Sequence, residues 1–175
     1  VYIYFGGLWG GQLQRYRDNK ALESAVLAEG DESALPSRVA KLTDDMMQFA
    51  EEPHPVVIVD DNGQPLKASD PHRFFEASWM HKYNGKYYFS YSTGDSHYLC
   101  YAMGDNPYGP FTYKGVILEP VVGWTTHHSI VEFKGKWYLF FHDCVPSDGQ
   151  TWLRSMKVKD LEYNADGTIR LVSNK

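Results

Sequence analysis

Three stretches of the chain are apolar or aromatic almost without a break: Val1-Tyr2-Ile3-Tyr4-Phe5, Tyr87-Tyr88-Phe89-Ser90-Tyr91 and Trp137-Tyr138-Leu139-Phe140-Phe141. Runs this short, with no polar face, predict strands covered on both sides. The latter two each follow a Gly-Lys turn, Gly85-Lys86 and Gly135-Lys136, and another apolar segment precedes each turn, Ser78-Trp79-Met80-His81 and Ser129-Ile130-Val131-Glu132. Asn84-Gly85 and Lys134-Gly135 then close hairpins. A third strand is predicted at Tyr98-Leu99-Cys100-Tyr101-Ala102 and at Trp152-Leu153-Arg154-Ser155-Met156, with Arg38-Val39-Ala40-Lys41-Leu42 as the counterpart in the first unit. Fourth strands are expected from Phe111 to Leu118 and from Ile169 to Val172. Leu22, Ala25, Val26 and Glu29 have the spacing of one short helix. The pattern of the Asp44 to Glu52 stretch suits helix or strand, but its position after a third strand favours a turn into a fourth, Pro55-Val56-Val57-Ile58-Val59.

Four strands in about fifty residues, repeated, predict propeller blades, because solenoid strands repeat at shorter periods and a sandwich has no such self-similarity. The expected division is the remainder of one blade with an insertion over 1–70, a blade over 71–120 and a blade over 121–175, about two and a half blades in one partial domain. The length of 175 residues suffices for a real core. Aromatics make up 15% of the chain, with 15 Gly and 9 Pro, a composition that favours strands and turns.

Charge narrows the partners. The 22 acidic and 17 basic residues leave a net charge of -5, and no run of Lys or Arg forms a stripe. A polyanion would be repelled, so nucleic acid is excluded as a partner. No apolar run is long enough to span a membrane. A neutral ligand fits better, and exposed aromatics suit sugars, whose C–H faces pack on rings. Cys100 and Cys144 imply neither a disulfide framework nor a zinc site and read as small buried residues. The first residues carry no charged leader or cleavage site and open in mid-strand, so location, whether secreted, periplasmic or cytoplasmic, is not legible.

Arg73-Phe74-Phe75-Glu76-Ala77-Ser78-Trp79-Met80-His81-Lys82, followed by Asn84-Gly85-Lys86-Tyr87-Tyr88, resembles the fourth-blade motif of family 43 glycoside hydrolases. Thr126-His127-His128-Ser129-Ile130-Val131-Glu132-Phe133 with Gly135-Lys136-Trp137-Tyr138 resembles the fifth-blade motif, and Asp105-Asn106-Pro107-Tyr108-Gly109-Pro110-Phe111 the link to the outer strand of blade four. Val1 to Gly7 is similar to the second strand of blade three. The resemblance covers nearly the whole chain. It implies an all-β, five-bladed β-propeller, of the β-xylosidase or α-L-arabinofuranosidase type, of which this chain is the C-terminal half of the catalytic domain. The implied substrates are plant cell-wall oligosaccharides or polysaccharides: xylan, arabinoxylan or arabinan. The implied reaction is hydrolysis with inversion, in which one carboxylic acid protonates the leaving oxygen and one carboxylate activates water. The resemblance places the general base in blade one and a tuning Asp just before Val1, so the fragment alone is expected to be inactive. A missing N-terminal half or a homo-oligomer would complete the ring.

Glu76 is the candidate general acid. Phe74, Phe75, Ala77 and Trp79 surround it in sequence, and such a setting is expected to desolvate the carboxyl and raise its pKa. Aligning the repeat places His127 in the same role of channel residue as Glu76, with His128 turned the other way. The resemblance gives His127 as the histidine beside a hydrated central Ca2+ or the water that replaces it, although a hard cation prefers oxygen. The resemblance implies that Arg154, in the third strand of blade five, reaches substrate or a catalytic carboxylate, and an Arg in an apolar strand wants such a partner. Trp9 and Trp124, in loops, are candidate sugar platforms, with Phe75 beside Glu76 as a further substrate contact. Asp60-Asp61-Asn62-Gly63 lacks the spacing of a calcium loop and reads as a hairpin turn. Ser129 lacks the context of a nucleophile. The competing reading is a non-catalytic half-propeller that binds sugar or serves only as structure.

Overall fold

The computed structural model describes residues 1–6, 14–17, 20–26 and 28–174, with side chains for 1–6 and 28–174. The strands are β1 (Tyr2–Phe5), β2 (Gln14–Arg17), β3 (Lys20–Val26), β4 (Ser37–Lys41), β5 (His54–Val56), β6 (Ile58–Val59), β7 (Glu76–Tyr83), β8 (Lys86–Ser92), β9 (Leu99–Gly104), β10 (Phe111–Leu118), β11 (His128–Phe133), β12 (Lys136–Asp143) and β13 (Ser155–Leu161). They form sheets ordered β1-β4-β5, β6-β10-β9-β8-β7 and β11-β12-β13, plus the hairpin β2-β3. The architecture is all-β and makes up about half of a five-bladed propeller.

The continuous aromatic run of β8 is buried on both faces for the expected reason, that of β12 only in part, and that of β1 is not, since Val1, Tyr2 and Ile3 are exposed. β8 sits between two interblade cores. Tyr88, together with Leu99, Tyr101, Ile130 and Leu139, packs toward the β11–β13 sheet. Phe89 and Tyr91, with Val39, Val56, Phe74 and Phe111, pack toward the β1-β4-β5 sheet. Burying aromatics on two sides stabilises by roughly 1.5–3 kcal/mol each, so the middle blade carries the largest share of the fold.

Four sequence expectations need correction. Leu22, Ala25 and Val26 lie in β3, not in a helix, and Glu29 follows it without helical structure. Helical spacing loses because β2 supplies the backbone hydrogen bonds, with Gln14 opposite Val26 and Arg17 opposite Lys20. The Pro55 to Val59 segment divides: β5 pairs with β4, whereas β6 crosses to run parallel with β10 of the next blade, Phe111 N–H bonding Val57 O at 2.9 Å. The third strand of the last blade begins at Ser155, because Pro146 opens a short 3-10 turn and Ser147 Oγ ties it down on Leu153 O at 2.8 Å. Trp152, Leu153 and Arg154 therefore belong to the turn. Finally, 169–172 is no strand. Tyr88 Oη donates to Gly167 O at 2.6 Å and Ile169 N–H donates to Tyr101 Oη at 2.9 Å, so the C-terminal stretch is stitched across to the middle blade. The Asp44 to Glu52 stretch is a turn in which Leu42 pairs with Phe49.

Candidate active site

The site is built at the ends of β7 and β11, where Trp79 and Ile130 join neighbouring blades through a 3.2 Å bond from Trp79 Nε1 to Ile130 O. Within β7, Trp79 stands opposite Ser90 and Glu76 opposite Ser92, so Ala77 and Ser78 together face Tyr91 alone. This is a β-bulge, and Ala77 takes the left-handed backbone it demands, with φ 62°. Ser90 and Ser92 share one face, since Ser90 Oγ bonds His128 Nε2 at 2.6 Å and Ser92 Oγ donates to the Thr126 carbonyl. The bulge thus carries Glu76 onto that same face, toward β11. In β11 the register has no irregularity: His128 pairs with Phe141, and His127 comes next, beside His142. Nine positions separate Glu76 from Gly85 and eight separate His127 from Gly135; the extra residue is the bulge.

Glu76 Oε1 accepts a hydrogen bond from Thr125 Oγ1 and lies 3.4 Å from His127 Nε2. The Glu76 side chain is 24% exposed and that of His127 56%. Behind His127, its backbone N–H donates to His142 Nε2 at 3.0 Å. Thr126 Oγ1 donates to His142 O at 2.8 Å and accepts from His142 N–H at 3.0 Å. Thr125 and Thr126 are buried, so the loop that presents His127 is fixed on both sides.

The electrostatics correct one expectation. The Glu76 carboxyl is held below its ordinary range, not above it. The His127 hydrogen bond is the largest cause; burial acts in the opposite sense, and Thr125, with the charges of His127 and Arg154, adds to the lowering. The aromatic neighbours in sequence do not dominate, because Phe74 is turned into the interblade core while polar groups meet the carboxylate. His142 is lowered by burial first and by the charges of Arg154 and His127 next. His128 is pushed down to about 3, mainly by burial.

Each remaining sequence candidate has a place, apart from Trp9, which lies outside the described residues. Phe75 is half-buried against Gly94, where an added Cβ would come within 3.0 Å of its ring. Trp124 is 55% exposed and stands edge-on to His97 at 5.6 Å between ring centroids. Arg154 is exposed in its turn, its Nε donating to Thr151 O at 3.0 Å, close enough for its charge to act on Glu76 and His142. Sequence reasoning missed Thr125 and His142. The signal was present: the same repeat that aligns Gly85 with Gly135 aligns Ser92 with His142, and each meets a channel residue, Ser92 pairing with Glu76 and His142 Nε2 accepting from His127 N–H.

A calcium cage is not formed by these side chains. Among the described residues no three His, Cys, Asp or Glu groups converge, and His127 Nε2 is already engaged with Glu76. Calcium takes six to eight oxygen ligands, so a hydrated ion beside His127 would draw most of them from water or from the remainder of the protein.

The comparisons agree with this geometry in family and fold. The chain is 77% identical over 175 residues to a "Xylosidase/arabinosidase" of Bacteroides ovatus, covering 99% of the chain and 54% of that protein. It superposes on the solved RS223 β-xylosidase with a TM-score of 0.94 at 72% identity, covering 98% of this chain and 53% of that one. A third likeness, 57% identical with a TM-score of 0.92 over 98% of this chain and 53% of the other, is CoXyl43. It is described as a β-xylosidase/α-arabinofuranosidase from a compost metagenome, in complex with xylotriose and in calcium-free form. The chain therefore spans about half the length of the relatives it matches. The sequence profile of the glycosyl hydrolases family 43 matches residues 31–169, and the chain belongs to that family.

Proposed function

We propose that the protein containing this chain is a glycoside hydrolase that removes xylose or arabinofuranose units from xylan, arabinoxylan or arabinan with inversion, and that Glu76 is its general acid. The observation that carries this is the bulge at Ala77, which turns one carboxylate out of an aromatic strand and sets it beside Thr125 and His127. The names of relatives, xylosidase/arabinosidase and β-xylosidase, support the substrate class. Structures of relatives holding xylotriose or xylose support a plant oligosaccharide as ligand.

In this scheme Glu76 gives its proton to the glycosidic oxygen as the bond breaks. His127 and Thr125 orient the carboxyl, and Arg154 supplies positive charge at the rim. Phe75 contributes apolar surface to the sugar whose bond is cut, and Trp124 stands 55% exposed at the rim. A proton donor must hold its proton near neutral pH, whereas the groups on this chain pull Glu76 the other way. The raising influence then comes from a carboxylate on the remainder of the protein, the role that the family resemblance gives to its tuning Asp. The lowered carboxyl is also the one observation that favours the second reading, a sugar-binding half-propeller, for the 175 residues taken alone.

The test is Glu76→Gln in the full-length protein. Substrates with poor leaving groups should lose roughly 10²–10⁴-fold in rate, and those with good ones far less, because an acidic leaving group needs little protonation. Equal losses on both types would remove Glu76 from the donor role.

A further inference from the structure

We infer that Trp124, braced by His97, forms the subsite for the sugar on the leaving-group side of the bond, and that this pair sets the preference for oligosaccharides over small glycosides. The inference rests on the hydrolase reading and on Glu76 as proton donor.

Trp124 comes from the segment between β10 and β11, and His97 from the turn between β8 and β9. The two rings meet edge to face at 5.6 Å and 71°, an arrangement in which the positive edge of one ring addresses the negative face of the other. Each partner is fixed by its own neighbours. The residue after Trp124 is Thr125, buried and hydrogen-bonded to Glu76, and the next, Thr126, is buried against His142. His97 has φ 54°, and its N–H closes a turn on Gly94 O at 2.9 Å. A left-handed histidine costs on the order of 1–3 kcal/mol, so the surroundings hold it there against its preference. Its Nδ1 is buried with no hydrogen-bond partner among the described residues, which is a second cost tolerated at the same residue. What the strained turn achieves is a contact that crosses from one blade to the next and stops the Trp124 ring from folding away. The ring is left 55% exposed.

A large aromatic that is 55% exposed, and one residue from the group that holds the proton donor, matches a pyranose ring. The C–H face of the sugar packs on the indole, and its hydroxyls stay in water. The donor touches the leaving oxygen, Thr125 ties Trp124 to the donor, and the ring is 55% exposed where the Glu76 side chain is 24% exposed, so Trp124 stands outward of the carboxyl, where the departing sugar leaves. Indole burial adds to binding and needs no charge, which suits a neutral pentose.

The experiment uses the full-length protein with Trp124→Ala, Trp124→Phe and His97→Gly. Glycine accepts the left-handed backbone, so only the ring of His97 is removed. The substrates are β-xylosyl fluoride, whose leaving group is too small to reach Trp124, and xylobiose and xylotriose. Trp124→Ala is expected to lose about tenfold in kcat/KM on both oligosaccharides, chiefly through KM, and less than about twofold on the fluoride. Trp124→Phe should recover most of the loss, and His97→Gly should show the same pattern as Trp124→Ala with smaller amplitude. Equal losses on fluoride and oligosaccharides, or unchanged oligosaccharide kinetics, would overturn the subsite while leaving the hydrolase reading intact. Failure of the unsubstituted protein to cleave the fluoride and both oligosaccharides would overturn the hydrolase reading and this inference with it.

Discussion

Glu76 stands opposite Ser92 across β7 and β8, although strict alternation from the Trp79–Ser90 pair would put Ala77 there. The left-handed Ala77 makes the difference. Glycine takes that conformation freely, and a β-branched residue resists it. Ala77→Val should therefore destabilise the protein by about 1–3 kcal/mol and lower its activity, because the regular register turns Glu76 toward the wrong face. Ala77→Gly should stay within about 1 kcal/mol of the parent and keep its activity. Denaturant titration and a glycosidase assay on the full-length protein check both. Equal stability of the Val and Gly variants would show that the bulge is not under strain.

The hydrogen bond from Thr125 and the contact with His127 hold the Glu76 carboxyl low. A general acid works only when protonated, so activity falls as pH rises through its pKa. Thr125→Val removes a bond to the charged form and raises that pKa. The alkaline limb of the kcat/KM profile should then move to higher pH, with the acid limb unchanged. A downward or absent shift would count against Thr125 as a partner of the donor.

Fold and site were legible in the sequence to different degrees, and the reason is physical. Tyr87 to Tyr91 announces a strand buried on both faces because four large aromatics in five positions leave no polar face. Lys20 to Val26 announces nothing, because its strand exists only through β2, and helical spacing suits the same residues. Glu76 was a candidate through the family resemblance and His127 through aligning the repeat on it, yet the pKa direction was not legible. Sequence neighbours such as Phe74 turn away, and the carboxylate meets Thr125, which lies 49 residues on in the chain. The break before Ser155 was hidden because Trp152 and Leu153 are apolar but exposed.

Two histidines make the stability of the fold sensitive to acid. His81 bonds Tyr163 Oη through Nε2 at 2.7 Å, and His128 bonds Ser90; burial pushes both down to about 3. Their ordinary value in the unfolded chain is about 6.5. Both are neutral in the fold, so their contribution is complete above pH 6.5 and declines as pH falls toward 3. Both histidines take up a proton in the unfolded chain and not in the fold across that window, so stability falls steadily as the pH falls through it. His81→Phe should be less stable than the parent at pH 7.5, since Tyr163 loses a partner, and the gap should close by pH 5. Urea titrations at the two pH values measure it, and a constant gap would contradict the assignment.

The last prediction concerns the 175 residues expressed by themselves. In the β11-β12-β13 sheet, Ile130, Leu139 and Leu161 pack on the middle blade. The register puts Val131, Phe133, Met156 and Val158 on the opposite face, where all four are exposed. At the other end of the chain Tyr2 and Ile3 are exposed on β1, which pairs with β4 alone among the described strands. An apolar face and an aromatic strand edge both seek cover. The isolated chain should therefore associate, and two copies of about two and a half blades sum to the five of the family fold, which a two-fold dimer would close. Light scattering should report a mass above 20.1 kDa, and Phe133→Lys with Val158→Lys should shift it toward the monomer. Association should not restore catalysis. The resemblance puts the general base and tuning Asp outside these residues, so each copy brings only Glu76, and one carboxyl cannot both protonate the leaving oxygen and activate water from the opposite side. An aryl xyloside or arabinofuranoside should be cleaved no faster than by the Glu76→Gln variant of the same chain. A stable monomer with full activity would place the base among these 175 residues and overturn the division of labour argued here.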